Sequence, residues 1–271
     1  MPARQHIVEE LIAERAEHLS AHPAFPYLRP LLYRVLAYDA AVFLADAIRP
    51  LSGHEAFALV ADHLRVRAQV EGLQNVPQTG AAFVVANHPT GLADGLAVYT
   101  ALRERRPDML FLANSDALRV IPGADDIIIP VEWKPDRRTR AKSKHTLLRL
   151  REAVEAGRLV VVFPSGRLAH LTWRGLTERP WESSAFAVAK RYGAPVVPLR
   201  IQASNSALFY TFSMIGRELR DITLFREMLN KKGRRFRLRF GTPIAPDAIP
   251  ADADAAAEAV RARVLGRVRG R

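Results

Sequence analysis

The run Leu159-Val160-Val161-Val162-Phe163 has no polar member. Successive residues of a β-strand point to opposite faces, so an all-apolar strand must be covered on both sides. A sheet layered between helices provides such a position. Comparable apolar runs recur along the chain. Strands are expected at 81–86, 109–113, 127–131, 159–163, 196–201 and 236–240. Helices are expected at 93–105, 137–156, 183–192, 218–230 and 253–268. The alternation predicts an α/β fold, a mostly parallel sheet flanked by helices. Pro198 interrupts its strand, since a proline disfavours an ordinary central ladder position.

The chain starts differently. Residues 1–26 read as a short amphipathic helix followed by a linker broken at Pro23 and Pro26. Residues 31–48 are apolar but carry Arg34, Asp39 and Asp46, which argues against spanning a bilayer. A helix packed on the main domain, or one lying at an interface over residues 28–49, fits them. Pro50 and Gly53 end this segment, and a further helical stretch runs to about Arg67. Two units are therefore expected: an N-terminal helical segment, 1–69, and an α/β domain, 70–271. Met1 to Glu10 mixes charges without an apolar core, so no signal peptide is expected. No apolar run reaches the length of about 18 residues that suggests a spanning helix.

With 271 residues the chain can bury one large core. It has no cysteine, hence no disulfide and no thiolate for catalysis or metal binding. Its net charge is +12. Such a chain is drawn to polyanions, or simply carries solvated arginine faces. Arginine and lysine concentrate at 103–106, 137–144, 231–239 and 261–271. A nucleic-acid partner is not expected, for there is no helix-turn-helix signal, zinc finger or basic run interleaved with aromatics. No metal is expected either, because the eight histidines show no ligand spacing.

Ligands of open α/β sheets collect beyond the carboxyl ends of the strands. Four segments leave a strand with unusual chemistry. The first is Asn87-His88-Pro89-Thr90-Gly91-Leu92-Ala93-Asp94-Gly95. This glycine-bent loop fixes a histidine and a carboxylate at one strand-to-helix crossing, as a general base and its orienting acid require. Taken singly, Asp94 also fits a helix cap and His88 a structural histidine. The second is Phe163-Pro164-Ser165-Gly166-Arg167, a stiff turn presenting Ser165, Arg167 and backbone N–H groups. A guanidinium there suits a phosphate or carboxylate. It is not the Gly-x-Ser-x-Gly elbow of serine hydrolases, since position 163 is Phe and 167 is Arg. The third and fourth are Val196-Val197-Pro198-Leu199-Arg200 and Arg239-Phe240-Gly241-Thr242-Pro243-Ile244.

In this order the four segments resemble the glycerolipid acyltransferase family, which includes the lysophosphatidic acid acyltransferases, over roughly residues 70–265. Asn205-Ser206-Ala207-Leu208-Phe209-Tyr210 and Arg226-Glu227-Met228-Leu229-Asn230-Lys231-Lys232-Gly233 are similar to its ornithine-lipid and haemolysin-like branch. Five residues, Pro89 to Ala93, separate the histidine from the aspartate, where the family usually has four. That spacing also resembles the ornithine-lipid branch. Ser165 stands where the family motif Phe-Pro-Glu-Gly-Thr-Arg has glutamate, and Arg167 arrives one position early. The segment Ile127 to Glu132 lacks the arginine usual in the second motif.

The resemblance implies O-acyl transfer from acyl-CoA or acyl carrier protein to a lysolipid hydroxyl, with lysophosphatidic acid or lyso-ornithine lipid as acceptor. His88 and Asp94 would be catalytic, and Asn87, Gly91, Gly95, Ser165, Gly166 and Arg167 would bind substrate. No cofactor beyond the thioester co-substrate is implied. His88 would take the acceptor's proton, Asp94 would hold the ring, and amides around Gly91 or Gly166 would face the oxyanion. The basic excess would then serve an anionic membrane surface, on the cytoplasmic, inner face, or an acidic acyl carrier protein. A serine hydrolase using Ser165, and an inactive anionic-lipid-binding module, are the alternative readings.

Overall fold

The computed structural model describes residues 5–132, 137–173 and 175–266. Five helices lead: α1 (Ile7–Arg15), α2 (Glu17–Ala21), α3 (Phe25–Val35), α4 (Tyr38–Ile48) and α5 (Gly53–His63). Alternation follows through β1 (Arg67–Glu71), β2 (Ala82–Ala86), α6 (Leu92–Leu102), β3 (Leu110–Asn114), α7 (Asp116–Val120), β4 (Ile128–Val131), α8 (Arg140–Glu155) and β5 (Leu159–Val162). A hairpin, β6 (His170–Thr172) and β7 (Gly175–Thr177), precedes α9 (Ser184–Arg191) and β8 (Val196–Gln202). Then come α10 (Ala207–Ile215), α11 (Arg217–Ile222), α12 (Leu224–Leu229), β9 (Arg235–Phe240) and α13 (Ala253–Leu265).

Seven strands form one sheet in the order β1-β9-β8-β2-β5-β3-β4. Every pairing is parallel except β8 with β9. β2 and β5 are buried at every position, because helices cover both of their faces. One face packs Val84, Phe111, Leu199 and Phe236 against Val8 of α1, Leu44 of α4, Val60 of α5 and Val98 of α6. The other packs Phe83, Val85, Val160 and Val162 against Leu150 of α8, Phe186 of α9 and Val260 of α13. The N-terminal helices thus share the sheet's core, and β1 enters the sheet at Arg67.

Pro198 sits inside β8 between two neighbours, and a bulge accommodates it. Val196 pairs with Ile244 and Leu199 with Phe240, so Val197 and Pro198 face Gly241, Thr242 and Pro243. The Pro198 carbonyl accepts from Gly241 N at 2.8 Å, and no donor is needed from the ring nitrogen. The helix expected over 218–230 is two, parted at buried Thr223, whose hydroxyl donates to the Arg220 carbonyl at 2.6 Å. Pro26 does not end a linker but lies in the first turn of α3, where a missing N–H is harmless. The expected end of the last helix at 268 lies outside the described residues.

Part of the basic excess is spent internally. Arg106 is fully buried at the amino-terminal edge of the sheet. It donates to both Asp108 oxygens at 2.7 Å and to the carbonyls of Pro77, Gly80 and Gly157 at 2.9–3.1 Å. Partial burial works against the Asp108 carboxylate, yet the Arg106 guanidinium outweighs it and holds the pKa below the ordinary range. Arg106→Ala strands those carbonyls and is expected to cost about 3–5 kcal/mol in urea unfolding. The carboxylate's share is present above its unfolded pKa of about 3.9. It disappears as pH falls through the lower folded value, so the gap between wild type and Arg106→Ala narrows in acid.

Candidate active site

The loop after β2 is tied down at both ends. Asn87 extends the β2–β8 pairing with its side chain, donating to Ile201 O at 2.9 Å and accepting from Ile201 N at 2.7 Å. Gly91 caps α6 at φ +82° and ψ −130°, a conformation open to glycine, and a Cβ there would meet Leu168 Cδ2 at 3.1 Å. Asp94, in the first turn of α6, turns back into the loop and is fully buried. Its Oδ2 accepts from Thr90 N at 2.8 Å and Gly91 N at 2.9 Å, and its Oδ1 accepts from the Thr90 hydroxyl. His88 Nδ1 lies 3.0 Å from the same Oδ2. That contact is close but poorly aimed, as the ring N–H does not point along it. Such bonds commonly tighten only when substrate is bound. The ring stacks on Phe163 with centroids 4.3 Å apart, and its side chain is 19% exposed. With Nδ1 turned inward, Nε2 is the nitrogen left on the accessible side.

The turn after β5 runs alongside. Ala169 N donates to the His88 carbonyl at 3.0 Å. Ser165 is buried, and its hydroxyl donates to the Arg167 carbonyl at 2.7 Å. Gly166 has φ +56°, and its amide donates to Phe163 O at 3.0 Å. Gly91 and Gly166 amides are therefore both spent inside the protein, on Asp94 and on the turn, and neither is free for an oxyanion. Arg167 is exposed and has no carboxylate partner among the described residues. Gly95 lies in α6, where a Cβ would meet nothing within 4 Å.

Sequence reading missed Glu178. The β6–β7 hairpin folds it back under the His88 loop, where it is 5% exposed and accepts from His88 N at 2.9 Å. Burial pushes its carboxyl up from the usual range, against that hydrogen bond. Its second oxygen and Trp181 Nε1 make no well-aimed hydrogen bond among the described residues, yet the indole and the Ser165 hydroxyl lie close enough to offset part of that push. Arg261 of α13 donates to the Glu178 carbonyl at 3.1 Å. Two carboxylates thus grip the loop, Asp94 from within α6 and Glu178 from the hairpin.

Beyond the carboxyl end of β8 the segments 205–210 and 226–233 are joined by a buried polar cluster of Asn205, Glu227 and Lys231. Lys231 Nζ donates to Asn205 Oδ1, Glu227 O and Glu227 Oε2, each at 3.1 Å, and to Asn230 Oδ1 at 2.8 Å. Glu227 also accepts from the Ser206 hydroxyl at 2.6 Å. Burial depresses the Lys231 pKa, opposed by the Glu227 charge. Burial also works against the Glu227 carboxylate, but Ser206 and Lys231 outweigh it and hold its pKa low.

Comparison with known proteins finds a family and several relatives. The Acyltransferase family matches over residues 67–202. A lyso-glycine lipid O-acyltransferase of Phocaeicola vulgatus is 25% identical over 75% of this chain and 73% of its own length. A second, from Bacteroides thetaiotaomicron, is 23% identical over 68% of each. The crystal structure of the 1-acyl-sn-glycerophosphate acyltransferase of Thermotoga maritima aligns over 97% of this chain at 17% identity and a TM-score of 0.45.

Glu178→Ala leaves the part-buried His88 amide without an acceptor, which is expected to cost about 1–3 kcal/mol in urea unfolding. Hydrogen exchange at the His88 amide should accelerate. Glu178→Gln keeps an acceptor oxygen and should restore most of the protection; equal loss in both variants would mean that the amide contact is not what Glu178 supplies.

Proposed function

The chain belongs to the Acyltransferase family, and we propose that His88 and Asp94 move a fatty acyl group from a thioester to the hydroxyl of a lysolipid. The carrying observation is the pairing of an inward Nδ1, 3.0 Å from a buried carboxylate, with an accessible Nε2 at the carboxyl edge of the sheet. Nε2 accepts the acceptor's proton as its oxygen attacks the thioester carbonyl. The tetrahedral intermediate collapses by breaking the C–S bond, and the imidazolium returns the proton to the departing thiolate. An ester and a free thiol result. Asp94 holds the ring and stabilises its charged form. Direct transfer is favoured over a Ser165 acyl-enzyme because the Ser165 hydroxyl is engaged by the Arg167 carbonyl.

The acceptor is a lysolipid whose headgroup carries a phosphate or a carboxylate, lysophosphatidic acid or lyso-ornithine lipid. Exposed Arg167, on the turn beside His88, would bind that headgroup. Asn87, Gly91, Ser165 and Gly166 would shape the two loops that receive substrate, and Gly95 would leave open space beside them in the first turns of α6. The donor is acyl-CoA or acyl carrier protein.

The enzyme works peripherally on the inner face of the membrane. No helix among the described residues is long and apolar enough to cross one. α10 follows the carboxyl end of β8, packs against β6 and contains no charged residue, yet Phe209 is its one buried side chain. Met214 and Ile215 are 76% and 66% exposed, and Trp173 of the hairpin 87%. Apolar side chains gathered at the site end of the sheet support lipid contact there, as do Leu28, Leu31 and Phe43 on α3 and α4.

Two measurements test this. Mass spectrometry of products from a labelled acyl thioester and a lysolipid panel should show an esterified lysolipid, and His88→Ala should lower the rate roughly 10²–10⁴-fold, about 3–5 kcal/mol of barrier. A wild-type rate in His88→Ala removes the histidine from the chemistry. In flotation with phosphatidylglycerol vesicles, Met214→Ser/Ile215→Ser should bind more weakly than wild type, on the order of ten-fold. Undiminished flotation would take α10 out of the lipid contact.

A further inference from the structure

Among the described residues the second helical layer ends over β8 and leaves one face of β9 and β1 uncovered. Along β9 the pattern alternates strictly: Phe236, Leu238 and Phe240 face the core, while Arg235, Arg237 and Arg239 are exposed. The strand register assembles these arginines into a grid. Arg67 lies opposite Arg235; Gln69, Arg237 and Gln202 form a second row; Glu71, Arg239 and Arg200 form a third. Five arginines thus share one sheet face with a single carboxylate. The closest pairing is Arg239 with Glu71 at 3.7 Å, and among the described residues Arg67, Arg200, Arg235 and Arg237 have no carboxylate partner. The middle and third rows line a groove of about 420 Å³.

Folding does not account for this grid. Like charges directly opposite across strands are destabilising, and Arg67 with Arg235 and Arg200 with Arg239 are such pairs. Charges on an edge strand deter sheet-to-sheet aggregation, but β9 and β8 are interior strands. A second copy docking here would bring arginine against arginine. A bilayer-inserted surface needs apolar side chains among the basic ones, and the exposed members of the grid are all arginine, glutamine or glutamate. The spacing, about 4.8 Å between strands and about 6.8 Å along them, brackets the roughly 5–6 Å between carboxylates one helical turn apart on a partner's surface.

We propose that this arginine-lined sheet face docks an acidic protein that carries the acyl group as its thioester, resting on the acyl-transfer reading above. α13 joins the docking face to the catalytic loop: its C-cap Gly266 abuts Arg200, and Arg261 reaches Glu178 beneath His88. The partner's charges steer the encounter, while the chemistry stays at His88.

The full chain and the double variant Arg237→Glu/Arg239→Glu are titrated with an acyl-loaded acyl carrier protein, an acidic carrier, and in parallel with phosphatidylglycerol vesicles. The variant should bind the carrier protein at least about ten-fold more weakly, with a flatter salt dependence. Its KM for the carrier-bound thioester should rise while its KM for acyl-CoA stays at the wild-type value. Glu71→Gln, which removes the lone carboxylate, should tighten carrier binding and keeps the proposal open to refutation if charge reversal unfolds the protein. Unchanged carrier affinity in both variants overturns the proposal. So does loss of vesicle binding with carrier binding intact, which would make the grid a lipid contact. Binding is read without turnover: carrier bound through the grid, with no acyl transfer from any donor, would sink the catalytic reading and leave the docking face standing.

Discussion

A carboxylate withdrawn from water has to have its oxygens satisfied, and at the end of β2 that carboxylate is Asp94. Its donors are the Thr90 amide, the Gly91 amide and the Thr90 hydroxyl, with the His88 ring at ion-pair distance. Each of them lies in the five-residue stretch before α6, so the loop cannot relax without stranding a buried charge. The positive φ at Gly91 follows, because the chain must bend sharply to aim two successive amides at one oxygen. The start of α6 favours negative charge on general grounds. Capping the helix and facing the imidazole are therefore not rival descriptions of Asp94; the hydrogen bonds that cap also fix its carboxylate 3.0 Å from the His88 ring.

What could be read from the sequence depended on whether the cause was local. β2 and β5 were legible because burial on both faces admits one class of residue, and the position of His88 just beyond β2 followed. β1 was not: Arg-Ala-Gln-Val-Glu carries two small apolar residues, and it is a strand because β9 pairs with it from far along the chain. Arg105 and Arg106 counted as surface charge in the sequence, yet Arg106 is buried and Arg105 bonds the Val76 carbonyl at 2.8 Å. Charge totals carry no positions. Glu178 was invisible for a similar reason. Nothing in Leu-Thr-Glu-Arg-Pro-Trp separates a buried glutamate from a solvated one, and only the fold of the hairpin brings it beneath His88. The segments 205–210 and 226–233 stood out as motifs, but that they form one ion-paired unit required the return of the chain through α11 and α12.

The topology assigns different surroundings to different parts of one sheet. At the carboxyl ends of β2, β5 and β8 lie the His88 loop, the arginine-bearing turn and an uncharged helix with its apolar side chains outward. Past β8 the helical layer stops, because α13 is the last described element and packs on β8 rather than on β9. A sheet face left open must be polar, and a mixture of lysine, glutamate and threonine would meet that need with less self-repulsion. Solvation explains why the face is charged but not why five of its members share a sign. A lysolipid and an acyl carrier differ in this same sense, one needing an apolar approach and the other matching a basic face. On this reading, the irregular end of the second helical layer lets both reach one histidine without competing for the same surface.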